Sequence, residues 1–144
     1  MALLSLTTEN RVATEEFLSR FISAQQLSAM ADANMDLSEI AAAIRHMPKT
    51  YEQDGMGEKA MAHLHYFIGG CDWYITERDV GCDGDEAQHQ AFGMASMGYE
   101  PEMGYISIAE LIENGVELDL YFTPRTIAEC RQILIDRNGL HSPS

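Results

Sequence analysis

Basic residues are scarce in this 144-residue chain, which has nine Lys and Arg against 23 Asp and Glu and a formal net charge of −14 at pH 7. A surface of that sign repels phosphate backbones and anionic lipids, which argues against direct binding to nucleic acid or membranes. The imbalance is also local, because residues 72–119 contain 12 acidic residues and one basic residue, Arg78. Most of the negative charge therefore falls in one third of the chain.

Cysteines and long apolar stretches are scarce as well. Cys71, Cys82 and Cys130 are odd in number and match no C-x-x-C pattern, so we expect free thiols. No apolar run approaches the roughly 20 residues that span a bilayer. The opening residues, MALLSLTTENR, lack the basic start and apolar run of a secretory signal, so we expect a cytoplasmic protein.

The common nucleotide-binding and hydrolase motifs are missing, since the chain has no P-loop, G-x-G-x-x-G or G-x-S-x-G sequence. We therefore assign no catalytic residue, no cofactor and no metal ligand, and we favour a function other than catalysis. The composition does provide a core. With 46% hydrophobic residues, a chain of this length can form one domain without metals or disulfides.

Two helices are predicted in the first third of the chain. Apolar residues recur with a period near 3.6 in residues 7–30, after an N-cap at Thr7 or Thr8. A second helix is predicted from Asp36, because the DLSE sequence forms a capping box, and it ends before Pro48.

The next segment changes to a period of two and predicts a hairpin of residues 61–68 and 71–77 across Gly69-Gly70. The turn sets the register, in which one face is apolar and should form the core. The other face is polar enough to contact water, as in antiparallel sheets covered on one side. The predicted pairs of the apolar face are Ile68–Cys71, Tyr66–Trp73, Leu64–Ile75 and Ala62–Glu77, and those of the polar face are Phe67–Asp72, His65–Tyr74 and His63–Thr76.

Shorter elements follow. Strands are predicted at residues 90–97, 104–106 and 116–122, and a short helix after Ser107. A last helix is predicted from Thr123-Pro124, with Ile127, Cys130 (or Ala128), Ile133 and Leu134 as its apolar stripe. The predicted fold class is α+β, with N-terminal helices followed by a small, mostly antiparallel sheet, a short helix and a C-terminal helix. Residues 1–47 should pack as a helical extension on a core of residues 48–139, before a frayed tail at 140–144.

Two groups of polar residues are candidates for function. His63 and His65 lie two apart on one strand and could bind zinc with His89, Cys71 or Cys82, although no spacing fixes a third ligand. The acids of residues 72–119 are the second group, with a solvated surface as the alternative to a binding surface. The residues that we expect near the rim of the sheet and in contact with a partner are Tyr74, Glu77, Glu100, Glu102, Tyr105, Glu117 and Asp119.

Several segments resemble a known family. They are KTYEQDG, AHLHYFIGGCDWYITERD, AFGMASMGYEPEMGYISIAEL and ELDLYFTPRTIAE, spread over residues 48–130. In these segments the chain resembles domain-of-unknown-function family 2958, small proteins of plasmids, phages and conjugative elements. The resemblance implies a mobile-element setting, where antirestriction functions are common. It supplies no catalytic residues, because that family has no established activity.

The sequence thus favours an acidic protein-binding module that contacts a basic protein partner and antagonises a DNA-binding host defence protein by acidic-surface mimicry. A first alternative is a metal-dependent or hydrolytic enzyme that uses His63, His65, Asp72 and Glu77. A second is a structural protein that forms a homodimer through its N-terminal helices.

Overall fold

The structure is a computed structural model that describes residues 8–80, 87–98 and 100–138. Helices surround a mostly antiparallel sheet, which confirms the predicted α+β class. Among these residues, no helix has the length and apolar character needed to cross a membrane. In chain order the elements are α1 (Thr8–Leu18), α2 (Ala24–Asp32), α3 (Leu37–His46), β1 (Met61–Ala62), β2 (Leu64–Ile68), β3 (Cys71–Glu77), β4 (Ala91–Ser96), β5 (Glu102–Ile106), α4 (Ile108–Glu113), β6 (Glu117–Leu118), β7 (Arg125–Thr126) and α5 (Ile127–Asn138).

The N-terminal segment contains three helices instead of the predicted two. The periodic stretch at 7–30 is interrupted after α1, because the Ser23 hydroxyl accepts a hydrogen bond from the Gln26 N–H (3.2 Å) and starts α2 as a new helix. The prediction for α3 is confirmed. The Asp36 carboxylate accepts hydrogen bonds from the N–H groups of Ser38 and Glu39, at 3.1 and 3.2 Å.

Five strands form one antiparallel sheet in the order β5-β4-β3-β2-β6, and β1 and β7 form a separate pair. The predicted hairpin register is confirmed from Leu64–Ile75 to Ile68–Cys71. Its extension to His63–Thr76 and Ala62–Glu77 is wrong. Ala62 pairs with Arg125 of β7 instead, since the chain leaves the hairpin where the His63 N–H bonds to the Ile75 carbonyl (2.8 Å).

The apolar face of the hairpin forms the core, as predicted. Leu64, Tyr66, Trp73 and Ile75 are buried against α1, α2, α3 and α4, with Phe21 of the α1–α2 connection at 0% exposure. Residues 1–47 therefore contribute, through their described part, to the same core as the sheet.

The second face of the sheet is buried along β3, so the prediction that it contacts water is wrong there, whereas Phe67 of β2 on the same face is exposed as predicted. Asp72, Tyr74 and Thr76 of β3 have exposed fractions of 0, 2 and 0%. The cover is α5, whose Ile127, Cys130 and Leu134, three residues of the predicted apolar stripe, pack against Tyr74 and Met94. The hairpin register alone did not reveal this cover, because α5 lies some fifty residues later in the chain.

The chain that leads into α5 also differs from the prediction. The predicted strand at 116–122 is reduced to β6, and the last helix does not begin at Thr123-Pro124. Thr126 caps it instead. The Thr126 hydroxyl accepts the Glu129 N–H (3.1 Å), and the Glu129 carboxylate accepts the Thr126 N–H (3.0 Å), which is a capping box.

The two edges of the five-stranded sheet differ. At the β6 edge, the side-chain amide of Gln26 donates to the Leu118 carbonyl (2.7 Å) and accepts the Leu118 N–H (2.9 Å), so α2 closes this edge. At the other edge, β5 pairs with β4 on one side and, within the described chain, with no strand on its other side.

Candidate functional site

A β-bulge near the end of β3 sets the direction of Glu77. The pairing of β3 with β4 shifts register between Ile75 and Glu77, so Thr76 is an extra residue on β3. Gly93 of β4 makes this possible, because a Cβ at that position would lie 1.9 Å from the Tyr74 carbonyl oxygen. In regular alternation Glu77 would share the core face with Ile75. The bulge brings it to the face of Thr76 instead.

Glu77 holds the loop before the hairpin. Its carboxylate Oε1 accepts a hydrogen bond from the Tyr51 N–H. Glu77 as a whole is only 4% exposed. Tyr51 has φ +77°, a left-handed conformation that bulky residues rarely adopt. Such strained residues cluster at binding and catalytic sites, where the surrounding structure maintains them.

The side chain of Gln53 fixes the same loop to the sheet. Its amide donates to the carbonyls of Met61 and Thr76, both at 2.9 Å, and its carbonyl accepts the Met61 N–H at 2.7 Å. Gln53 is itself buried, so these three hydrogen bonds form away from bulk water. The loop is therefore held in place before any partner binds.

The loop and the sheet enclose a cavity of about 370 Å³ beside β5, which we call the Glu77 pocket. Its wall residues of chemical interest are Tyr51, Asp54, Glu77, Phe92, Met103 and Tyr105. The two tyrosine hydroxyls lie 2.8 Å apart, and the Phe92 and Tyr105 rings meet edge to face at 5.5 Å between centroids. Three aromatic rings and two carboxylates thus surround one volume.

The electrostatics of this pocket favour a cation. Oε2 of Glu77 accepts no hydrogen bond from the described residues, and it is not an enclosed atom, so it is open to solvent in the pocket. The hydrogen bond between the Tyr51 and Tyr105 hydroxyls, partial desolvation and the negative charges of Asp54 and Glu77 raise the pKa of Tyr105, so its hydroxyl stays protonated. A carboxylate beside aromatic faces is an environment that attracts Lys and Arg side chains.

A second polar cluster lies under α5 on the same face of the sheet. His65 Nε2 is 2.7 Å from Asp72 Oδ1, and His65 Nδ1 is 3.0 Å from Asp119 Oδ2. Arg137 of α5 approaches both oxygens of Asp72 in a forked arrangement, with Nη1 to Oδ1 at 3.0 Å. Tyr74 stacks on the His65 ring at 4.4 Å between centroids. We call these five residues the His65 cluster.

The His65 cluster attaches α5 to the sheet. Burial alone would raise the pKa of Asp72, but the hydrogen bonds and charges of His65 and Arg137 outweigh it and lower that pKa to about 2. Burial raises the pKa of Tyr74, and it raises the pKa of the Cys130 thiol to about 12. These two groups therefore remain protonated and unreactive at neutral pH.

The residues proposed for a metal site or for hydrolysis are only partly brought together. His65 and Asp72 are in contact, whereas Glu77 lies in the other site and His63 has no part in the cluster. Burial lowers the pKa of His63. No group of three His, Cys, Asp or Glu side chains in the described ranges could hold a metal ion. Cys82 lies outside these ranges.

The predicted partner-binding residues are distributed over the two sites and two edges. Glu77 and Tyr105 meet in the Glu77 pocket, with the exposed Glu100 and Glu102 on or next to the same strand edge. Glu117 and Asp119 lie at the β6 end, four strand spacings or roughly 19 Å away. The placement of Tyr74 at the rim is wrong, because this residue belongs to the central strand and α5 covers it.

Sequence reasoning missed Tyr51 and Asp54. The segment 48–59 is polar and contains Gly55 and Gly57, so it resembles an ordinary connector. The acids of the sheet were found from charge alone, but the loop that encloses them was not. Comparison of the chain with protein-family models, with curated proteins and with solved structures gives no significant match.

Proposed function

We propose that this protein is a protein-binding module and that its Glu77 pocket receives a Lys or Arg side chain of a basic partner. One observation supports this above all others. Glu77, a residue only 4% exposed, has one carboxylate oxygen bonded to Tyr51 and the other open to a preformed cavity lined by Tyr51 and Tyr105. A cationic side chain would replace solvent at that oxygen, donate a charged hydrogen bond to it and neutralise its charge.

The energetics of the pocket are consistent with a cationic guest. A cation over an aromatic ring contributes about 0.5–2 kcal/mol, and a hydrogen bond to a charged group contributes about 1.5–3 kcal/mol. The Tyr51 loop is already held by Gln53, so little ordering entropy would be lost on binding. The net charge of −14 would also speed the encounter with a basic protein.

This proposal narrows the mimicry hypothesis. A phosphate-like row would require acids in one line, whereas Glu102 and Glu117 lie at opposite edges of the sheet. We therefore propose that the β5 edge alone recognises the basic partner, through the Glu77 pocket. The setting that fits a basic target is the cytoplasm of a cell that carries a mobile element, as the resemblance to family 2958 implies, with a DNA-binding defence protein as the partner.

A peptide titration tests the proposal. The probe is an acetylated and amidated nine-residue peptide of alternating Thr and Arg, compared with the same peptide carrying citrulline for Arg. We expect the Arg peptide to bind and the citrulline peptide to bind at least tenfold more weakly. Glu77→Gln should weaken Arg-peptide binding about tenfold, since Gln still accepts the Tyr51 N–H but has no charge.

The matched control is Glu113→Gln, which removes the same charge from an exposed position on α4, away from the pocket. We expect its affinity to remain within about twofold of the parent protein, because exposed charges contribute little to a distant site. Equal weakening by both substitutions would show that only net charge matters and would refute the pocket. No binding of the Arg peptide at low salt would also refute it.

A further inference from the structure

The outer side of β5 is an open sheet edge next to the Glu77 pocket. Residues 102–106 pair with β4 through Ala91–Ile106 to Ala95–Glu102, and no described strand pairs with their other side. In an antiparallel ladder, alternate residues direct their N–H and C=O groups away from the neighbouring strand. β5 therefore presents a row of backbone groups that another strand could pair with.

Protection of sheet edges is uneven in this molecule. The opposite edge is short and is closed by the side chain of Gln26, which pairs with both backbone groups of Leu118. Proteins commonly protect an open edge with charged side chains, proline or a covering loop. Along β5 the exposed side chains are Glu102, Met103 and Tyr105, so the one charge on this edge opposes an acidic strand and favours a basic one.

Extending the proposed function, on which this inference rests, we propose that an extended basic segment of the partner adds to β5 as a sixth strand and inserts one cationic side chain into the Glu77 pocket. In such a pairing, backbone hydrogen bonds provide affinity and the pocket provides selectivity. The side chains of the added strand would alternate between the face of Tyr105 and the face of Glu102.

The position of the pocket fits this arrangement. Met103 and Tyr105 lie on the pocket face of β5 and line the cavity, whereas Glu102 and Ile106 belong to the other face. A residue opposite Tyr105 on an added strand would have its Cβ within roughly 5.5 Å of the Tyr105 Cβ. Because Tyr105 pairs with Phe92 and Phe92 with Glu77, the added strand would lie three strand spacings, roughly 14 Å, from the Glu77 backbone. Arg is therefore the better fit, extended across the Tyr105 and Phe92 rings towards the Glu77 carboxylate.

Charge distinguishes the partner segment from a second copy of this chain. Glu100 lies just before β5, Glu102 is its first residue, and Asp54 and Glu77 lie in the pocket, so the edge is acidic on both faces. Two copies paired through β5 would bring these acids together in a protein of net charge −14. Like charges oppose that pairing, whereas a basic strand complements it.

Backbone methylation of the peptide tests strand addition separately from pocket binding. We use two N-methylated versions of the Thr–Arg peptide. In the first, the backbone nitrogens of all Thr residues are methylated, and in the second, those of all Arg residues. An added strand directs only one of these sets of N–H groups at β5. We expect one version to lose at least tenfold in affinity while the other stays within about threefold, and alternate amides of β5 to exchange more slowly in the complex.

Each other outcome gives a definite answer. If both methylated peptides bind like the parent peptide and Glu77→Gln still weakens binding, the pocket stands and strand addition is refuted. Equal loss in both versions also refutes strand addition. If the Arg peptide does not bind at all, both proposals fail. If the protein sediments as a dimer that the peptide cannot dissociate and β5 amides are protected without peptide, the edge pairs two copies, and the inference is overturned.

Discussion

Gly93 is the residue on which the direction of Glu77 depends. A side chain at this position would collide with the backbone of Tyr74, and backbone cannot move aside as a flexible side chain can. The register shift between Ile75 and Glu77 occurs beside this contact. Gly93 therefore permits the bulge, the bulge orients Glu77, and Glu77 holds the Tyr51 backbone.

We predict that Gly93→Ala destabilises the protein by about 1–3 kcal/mol or more, because overpacking a buried backbone contact forces the strands apart. The measurement is urea unfolding followed by circular dichroism. The control is Gly104→Ala, since Gly104 pairs with Gly93 but a Cβ there would meet nothing within 4 Å. Equal stability of the two variants would contradict the packing argument.

Helix α5 covers the face of the sheet that the sequence pattern alone would leave in water. Its apolar residues cover Tyr74 and Met94, and its Arg137 binds Asp72 together with His65. Alternation in β3 indicated a polar outer face, and that face is indeed polar. It is nevertheless buried, because the C-terminal helix supplies both the apolar cover and the countercharge for Asp72.

The attachment of α5 should make stability depend on acidity. The pKa of Asp72 is lowered from an ordinary value near 3.8 to about 2, so the folded state binds fewer protons than the unfolded state between these values. The stabilisation is present above about pH 4 and is lost as the pH falls through 2. We expect the free energy of unfolding to fall by roughly 2 kcal/mol across this window on account of Asp72.

Urea unfolding at several pH values between 2 and 5 measures this loss, with Asp72→Asn as the comparison because Asn does not titrate. The increment assigned to Asp72 should be absent from that variant, which should also be less stable at pH 6. If the stability of Asp72→Asn falls by the same amount as that of the parent protein between pH 5 and 2, other carboxylates cause the loss.

For the whole molecule, the N-terminal helices and the sheet share one core. Phe21, Leu18 and Ile44 pack in the same cluster as Tyr66 and Trp73. A helical extension that lay loosely on the sheet would not have Leu18, Phe21 and Ile44 at 0–2% exposure. Homodimer formation through these helices stays a prediction, which light scattering over a range of concentrations would test.

We predict that Phe21→Ala destabilises the whole protein by about 3–5 kcal/mol, because it leaves a cavity between the N-terminal helices and the sheet. Thermal unfolding should remain one transition when followed both by far-UV signal and by the fluorescence of Trp73. Val12→Ala, at a site that is 47% exposed, should change stability by less than about 1 kcal/mol. Two separate transitions would mean that the helices and the sheet unfold independently.

Acidic residues that are close in the sequence lie far apart in the folded molecule. Glu102 and Glu117 are 15 positions apart in the chain, yet they occupy opposite edges of the sheet because β4, β3 and β2 lie between them. Of the acids in residues 72–119, Glu100 and Glu102 thus lie at one edge of the sheet and Glu117 and Asp119 at the other. Glu117 also borders a cavity, but its edge is closed by Gln26, so within the described residues it is the β5 edge that joins acids, a cavity and an open strand.

Local patterns in the sequence determined the fold class, the hairpin register and the caps at Asp36 and Ser107, because capping, turn chemistry and alternation act between residues that are close in the chain. Tertiary structure alone decided the burial of Tyr74 under α5 and the meeting of Tyr51, Glu77 and Tyr105 in one pocket. These contacts join residues 26 to 65 positions apart through a bulge and a docked helix. Such contacts depend on how distant elements pack, so the periodicity of nearby residues cannot predict them.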